Sequence, residues 1–153
     1  MKRSRGKNGQ SMVELALVLP VLVMILLGGI VDFGFAFYNF ITLQQIANDA
    51  AMFASNPYIP GQTLPSPTGR TDDEVRTFTQ AKIPPNWGTI PTSDIVLQTT
   101  TKTDDAYPTK PLYYRRVTLT YHSPLYTPFW KAVWADIPLR ASAIFQVPRS
   151  VLP

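Results

Sequence analysis

Glu14 closes the stretch K-N-G-Q-S-M-V-E, five residues after Gly9, and opens directly onto the charge-free run Leu15–Val31. A carboxylate at the centre of a bilayer costs roughly 2.5–3.5 kcal/mol on insertion scales, and less near the edge, so an acid at the mouth of an apolar run calls for a partner. Other groups able to do chemistry are few. His122 is the single histidine, beside Ser123-Pro124, and no G-x-S-x-G elbow accompanies it. The acidic triplet Asp72–Glu74 follows Thr71, where acids in a first helical turn favour the dipole, and no D-x-D-x-D-G loop surrounds it. The absence of cysteine excludes disulfides, thiolate metal sites, cysteine nucleophiles and lipid attachment at a thiol. No phosphate loop, zinc spacing or nucleotide fingerprint occurs. These residues describe a chain with no catalytic centre, no metal or other cofactor and no small-molecule substrate.

Charge narrows the class further. The 153 residues carry 14 Lys and Arg against 10 Asp and Glu. Four of the basic residues, Lys2, Arg3, Arg5 and Lys7, precede Gly9, which leaves ten of each sign in the remainder. The net charge of +4 is thus a property of the leader. Nucleic-acid binding, which needs clustered cations to replace phosphate counterions, is excluded. A short basic N-terminus ahead of an apolar run predicts a cytoplasmic N-terminus and an exterior C-terminal part.

The elements that must position Glu14 follow from the apolar pattern. Leu15–Val31 is 17 residues, about 26 Å as a helix at ~1.5 Å per residue, the lower edge of spanning length. Asp32 is expected at the outer end of the span, where an acid is cheap, with a role as an intersubunit partner as the sharper alternative. Phe33, Phe35, Phe37, Tyr38 and Phe40 follow as interfacial aromatics. These bulky residues stand where a cleavable secretory signal would place small ones. Beyond them Leu43, Ile46, Ala47, Ala50, Phe53 and Ala54 recur at helical spacing, with Gln44, Gln45, Asn48 and Asp49 on the other side. Asn56-Pro57 ends the pattern. One helix is predicted over Met12–Ser55, on the order of 65 Å long. A bend or local melting is predicted at Pro20 and Gly28-Gly29.

A basic leader, G-Q-S-M-V-E and then an apolar helix resemble the type IV prepilin processing site. The wider set G-Q-S-M-V-E, A-L-V-L-P-V-L and I-V-D-F-G…A-F-Y resembles more specifically the TadE-like pseudopilins of tight-adherence (Tad) pilus systems, over roughly Gly9–Ser55. The resemblance implies cleavage between Gly9 and Gln10 by a membrane prepilin peptidase. It further implies that Glu14 meets the new α-amino group of a neighbouring subunit and sets the axial register between packed helices. The implied partners are the membrane, the peptidase, other pilin or pseudopilin subunits and the inner-membrane pilus platform. The implied location is the bacterial cytoplasmic membrane, crossed once, with incorporation into a pilus. Two departures, Phe35 where a basic residue often follows D-F-G and the helix end I-A-N-D-A-A-M-F-A-S, bear on subunit contacts. The rival reading is an uncleaved single-pass anchor whose exterior domain binds a partner or scaffolds a secretion complex.

Three regions result: a leader over 1–9, a membrane and amphipathic helix over 10–55, and a small exported domain over 56–153. Ser55–Arg70 is rich in Pro and Gly and reads as loop. T-D-D-E-V-R-T-F-T-Q-A-K opens with a capping box, Thr71 and Glu74, and predicts a helix facing inward through Val75, Phe78 and Ala81. Three alternating segments predict strands with one face each: Ile95, Leu97, Thr99; Val117, Leu119, Tyr121; and Leu139, Ala141, Ala143, Phe145, Val147. Arg115 and Arg116 fall on opposite faces. In T-P-F-W-K-A-V-W, Thr127 caps, Pro128 takes the first helical position, and Trp130 and Trp134 are i, i+4 neighbours. Such a pair packs in a core or, if exposed, forms a docking or subunit-contact surface, for which Phe35 and Tyr38 are further candidates. The expected class is α+β, pilin-like: a long N-terminal helix packed by an antiparallel sheet of about three strands.

Overall fold

The computed structural model describes residues 7–58, 66, 68–104 and 107–148. Its elements are helix α1 (Lys7–Ala54), helix α2 (Asp72–Lys82), short turns of 3-10 helix at Pro85–Trp87 and Thr92–Asp94, strand β1 (Ile95–Asp104), strand β2 (Tyr107–Pro124), helix α3 (Pro128–Lys131) and strand β3 (Asp136–Gln146). The strands form one three-stranded antiparallel sheet in the order β1-β2-β3. The class is α+β, as the pattern predicts. Helix α1 is continuous over 48 residues with Pro20 inside it, so the local melting expected there and at Gly28-Gly29 does not occur. A proline withdraws a single backbone donor, and the two glycines are covered by side chains that pack against them.

The chain groups into two units that are not consecutive stretches: the residues up to Phe37 with Pro124–Ile137, and Tyr38–Ser123 with the residues from Pro138. The second unit has an apolar core. Leu43, Ile46, Ala47, Ala50 and Ala54 of α1 are buried, on the stripe read from the sequence, together with Val75, Ile95, Val117, Leu119 and Ala141. Alanine at three of these helical positions lets the sheet approach the helix backbone closely. In the β1–β2 ladder Ile95 faces Leu119 and Leu97 faces Val117, so the apolar faces of both strands coincide. Phe145 remains 38% exposed although it shares the face of Ala141 and Ala143, while Val147, two residues further on, is buried. Phe53 stacks on Phe78 at 4.2 Å and Trp87 on Tyr121 at 4.1 Å.

Polar contacts close this unit. The Thr71–Glu74 capping box forms as read, but the buried face of α2 is Val75 and Thr79, with Phe78 half-buried and Ala81 exposed. The Thr79 hydroxyl satisfies itself on the Val75 carbonyl, at 2.7 Å, which makes its burial cheap. Arg115 points inward and Arg116 outward; Arg115 bonds Thr99 and Asp72 at 2.5 Å each. A buried cation is tolerated when it is paired in this way. The C-terminus of α1 is closed by Arg70, whose backbone N–H donates to the Ala54 carbonyl at 3.0 Å. Gly69 makes that approach with φ of 84°, and a Cβ there would lie 2.1 Å from the same oxygen. Only glycine fits.

Candidate functional site

Gly9 and Gln10 fall in the first turn of α1, and Glu14 lies one turn further on, exposed to the surroundings. From Met12 to Val31 the large apolar side chains other than Ile25 are exposed, Met12 by 77%, Leu17 by 70% and Ile30 by 68%. Within α1, Ser11–Ala54 is long and apolar enough to cross a membrane, and its most apolar window is 0% buried.

Asp32 ends that run but does not face outward. It is 4% exposed. One carboxylate oxygen, Oδ1, accepts from the backbone N–H groups of Tyr126 at 2.9 Å and Thr127 at 3.2 Å. The other, Oδ2, accepts from the Thr127 hydroxyl and, at 3.4 Å, from the same Thr127 N–H. Thr127 is the N-cap of α3, with Pro128 at the first helical position, as the sequence predicts. Its hydroxyl makes no cap bond within α3, because it donates to Asp32. The carboxylate thus supplies from outside the acceptor that the start of α3 needs, and charge-assisted bonds of this kind are the stronger ones.

Small residues make room for this contact. A Cβ on Gly28 would lie 3.3 Å from the Thr127 methyl, and one on Gly29 would lie 3.2 Å from the Trp130 indole nitrogen. The Trp130 N–H is buried with no acceptor among the described residues. Trp130 and Trp134 stack at 5.9 Å, and the Trp134 N–H bonds the Trp130 carbonyl at 2.8 Å, which holds the helical spacing past the end of α3. Phe35 packs on Tyr126, their ring centroids 4.7 Å apart. Of the residues singled out in the sequence, the fold gathers Asp32, Phe35, Trp130 and Trp134 around one segment, Pro124–Ile137. Tyr38 is 65% exposed and belongs to the second unit.

His122 is exposed on β2, while its neighbour Ser123 is buried and accepts a hydrogen bond from Asn39 Nδ2 at 2.9 Å. Among the described residues no three His, Cys, Asp or Glu side chains are grouped to hold a metal. Sequence reasoning did not find the Asn39–Ser123 pair, the glycine contacts, or the engagement of Asp32 by its own chain. The available signal was the spacing Gly28, Asp32, Ala36, Asn39 on one face of α1. Small and polar residues on one stripe of an apolar helix mark a close contact.

Residues 9–52 match the model of a family described as TadE-like protein. No curated protein and no solved structure matches the chain. The match covers less than a third of the chain and falls on a helix long and apolar enough to cross a membrane.

Proposed function

We propose that this protein is a pseudopilin or minor pilin acting in assembly of a Tad-type pilus. It is inserted with Lys2–Lys7 on the cytoplasmic side, cut between Gly9 and Gln10 by a prepilin peptidase, and packed through α1 against other subunits. Carrying this reading is the TadE-like match, which starts at Gly9 and runs along a helix whose side chains from Met12 to Met24 are exposed. Cutting there leaves a new α-amino group on Gln10, four residues before Glu14. Within one chain those two groups lie about one turn apart on the helix. Between staggered chains the amine of one meets the acid of the next, and the pair defines a single axial offset. Near the bilayer edge each charge is retained because it is paired, and removing one partner leaves the other uncompensated. Phe33, Phe37 and Tyr38 are exposed by more than half and supply lateral packing surface on the same helix.

The test has two parts. Co-expression with a prepilin peptidase should remove the first nine residues, read as the intact mass of the product. The Glu14→Ala variant should insert normally, yet cells carrying it should show few or no pili by electron microscopy. An intact leader together with normal pili in the variant would overturn the reading. It would leave the single-pass anchor that binds a partner or scaffolds a secretion complex.

A further inference from the structure

Asp32 holds Pro124–Ile137 beside the last turns of the charge-free run, and that segment buries Leu125 but turns four of its large apolar side chains outward. Tyr126 is 55% exposed, Phe129 48%, Val133 63% and Trp134 59%. Only Lys131 and Asp136 carry charge between Pro124 and Ile137. Four large apolar side chains presented together in water would be a costly exposed patch.

We propose that Pro124–Ile137 is an in-plane membrane element, seated in the lipid interface on the Asp32 side of the bilayer with lipid as the occupant of the surface around Trp130. Continuity is the first argument. Trp130 lines a groove of about 510 Å³ with Ile25, Leu26, Ile30 and Phe33, residues on the stretch of α1 that is exposed and apolar, so what solvates that helix solvates the loop. A second groove of about 200 Å³ lies on the Trp134 side of the same ring. Depth is the second argument. From Asp32 back to Ile25 the helix rises on the order of 10 Å, which is the depth to which interfacial helices embed. Composition is the third, since the exposed Trp134 and Tyr126 can place an apolar ring in the acyl region and a polar edge at the headgroups, and Lys131 can extend its ammonium to them. Finally, irregular backbone enters lipid only where its polar groups are satisfied by protein. The Tyr126 and Thr127 N–H groups are satisfied by Asp32. The proposal needs Leu15–Val31 to cross a bilayer; it does not need the leader to be cut or a pilus to form.

The full chain is reconstituted in phosphatidylcholine vesicles whose acyl chains carry bromine close to the headgroup, a short-range quencher of tryptophan. Trp87→Phe leaves Trp130 and Trp134 as reporters, and the Trp130→Phe/Trp134→Phe double variant leaves Trp87. The expected result is loss of most emission in the first, relative to unbrominated vesicles, and little loss in the second. Should Trp87→Phe perturb folding, the wild-type signal minus that of the double variant reads the same loop. Unquenched emission that dissolved acrylamide removes would place the loop in water and overturn the proposal. Protection from both quenchers that grows with the protein-to-lipid ratio would also overturn it, by assigning the surface to a second copy. Flotation with the vesicles reports the helix separately, so a failure of the loop is distinguished from a failure of the span.

Discussion

Helix α1 is held to the rest of the chain at two places, by different physics. Toward Ala54 the contact is apolar: leucine, isoleucine and alanine on one stripe disappear into a core with the sheet. Toward Asp32 most large apolar side chains of the helix are exposed, and the contact joins a carboxylate, two backbone N–H groups, a hydroxyl and two glycines to the packing of Phe35 on Tyr126. In water, removing apolar area from solvent drives association at about 25 cal/mol per Å². In lipid that driving force between segments is absent, and close packing and hydrogen bonds take its place. The switch from one kind of contact to the other along a single helix is a record of where its surroundings change.

Substitutions can break either side of this contrast. The largest effect is expected for Leu43→Ala, which leaves a cavity in the apolar core and should cost about 2–5 kcal/mol, measured by denaturant unfolding of the second unit in detergent. Proteolytic protection of Pro124–Ile137 should be unchanged by it. Gly69→Ala should follow at roughly 1–3 kcal/mol, because the left-handed φ and the approach to the Ala54 carbonyl must both be relieved. A drop in the thermal midpoint without loss of sheet signal in circular dichroism would register it. Asp32→Ala should reverse the pattern: about 1–3 kcal/mol lost locally, as the orphaned N–H groups are left without an acceptor, read as new cleavage within Pro124–Ile137 while the second unit unfolds at its wild-type midpoint. Equal loss in both units would erase the distinction.

The smallest effect tests the polar closure of the second unit. Hydrogen bonds from the Thr71 hydroxyl and N–H, helped by Arg70, hold the Glu74 carboxyl below its ordinary range. The ionised form is favoured in the fold, so its contribution is complete above the ordinary carboxylate range and is lost as pH falls through the lowered value. Amide exchange in the first turn of α2 should accelerate over that acidic interval. Thr71→Ala, which should itself cost about 0.5–2 kcal/mol as a lost cap, should shrink the pH step, leaving the part held by the residue-71 N–H and Arg70.

The sequence made much of the second unit legible, because a water-facing domain sorts its residues by polarity. The stripe from Leu43 to Ala54, the faces of β1 and β2 and the Thr71–Glu74 box could each be read by period or spacing. Ala81 and Phe145 are exposed, because periodicity names a face but not which of its positions the rest of the fold covers. The other unit was opaque for the opposite reason. With lipid as the surroundings, an apolar residue reveals nothing about which way it points. The contact of Asp32 with Tyr126 and Thr127 joins positions 94 and 95 residues apart, with no pattern linking them. The stripe of small and polar residues Gly28, Asp32, Ala36 and Asn39, on a helix that otherwise favours bulk, gave notice of a close neighbour.

Every polar fastening from Asp32 to that neighbour ends on two adjacent residues, Tyr126 and Thr127. It is a pin and not a seam. A seam peels by degrees and tolerates the loss of a stitch, whereas a pinned flap is either home or away. Neutralising one side chain should therefore free the whole flap at once.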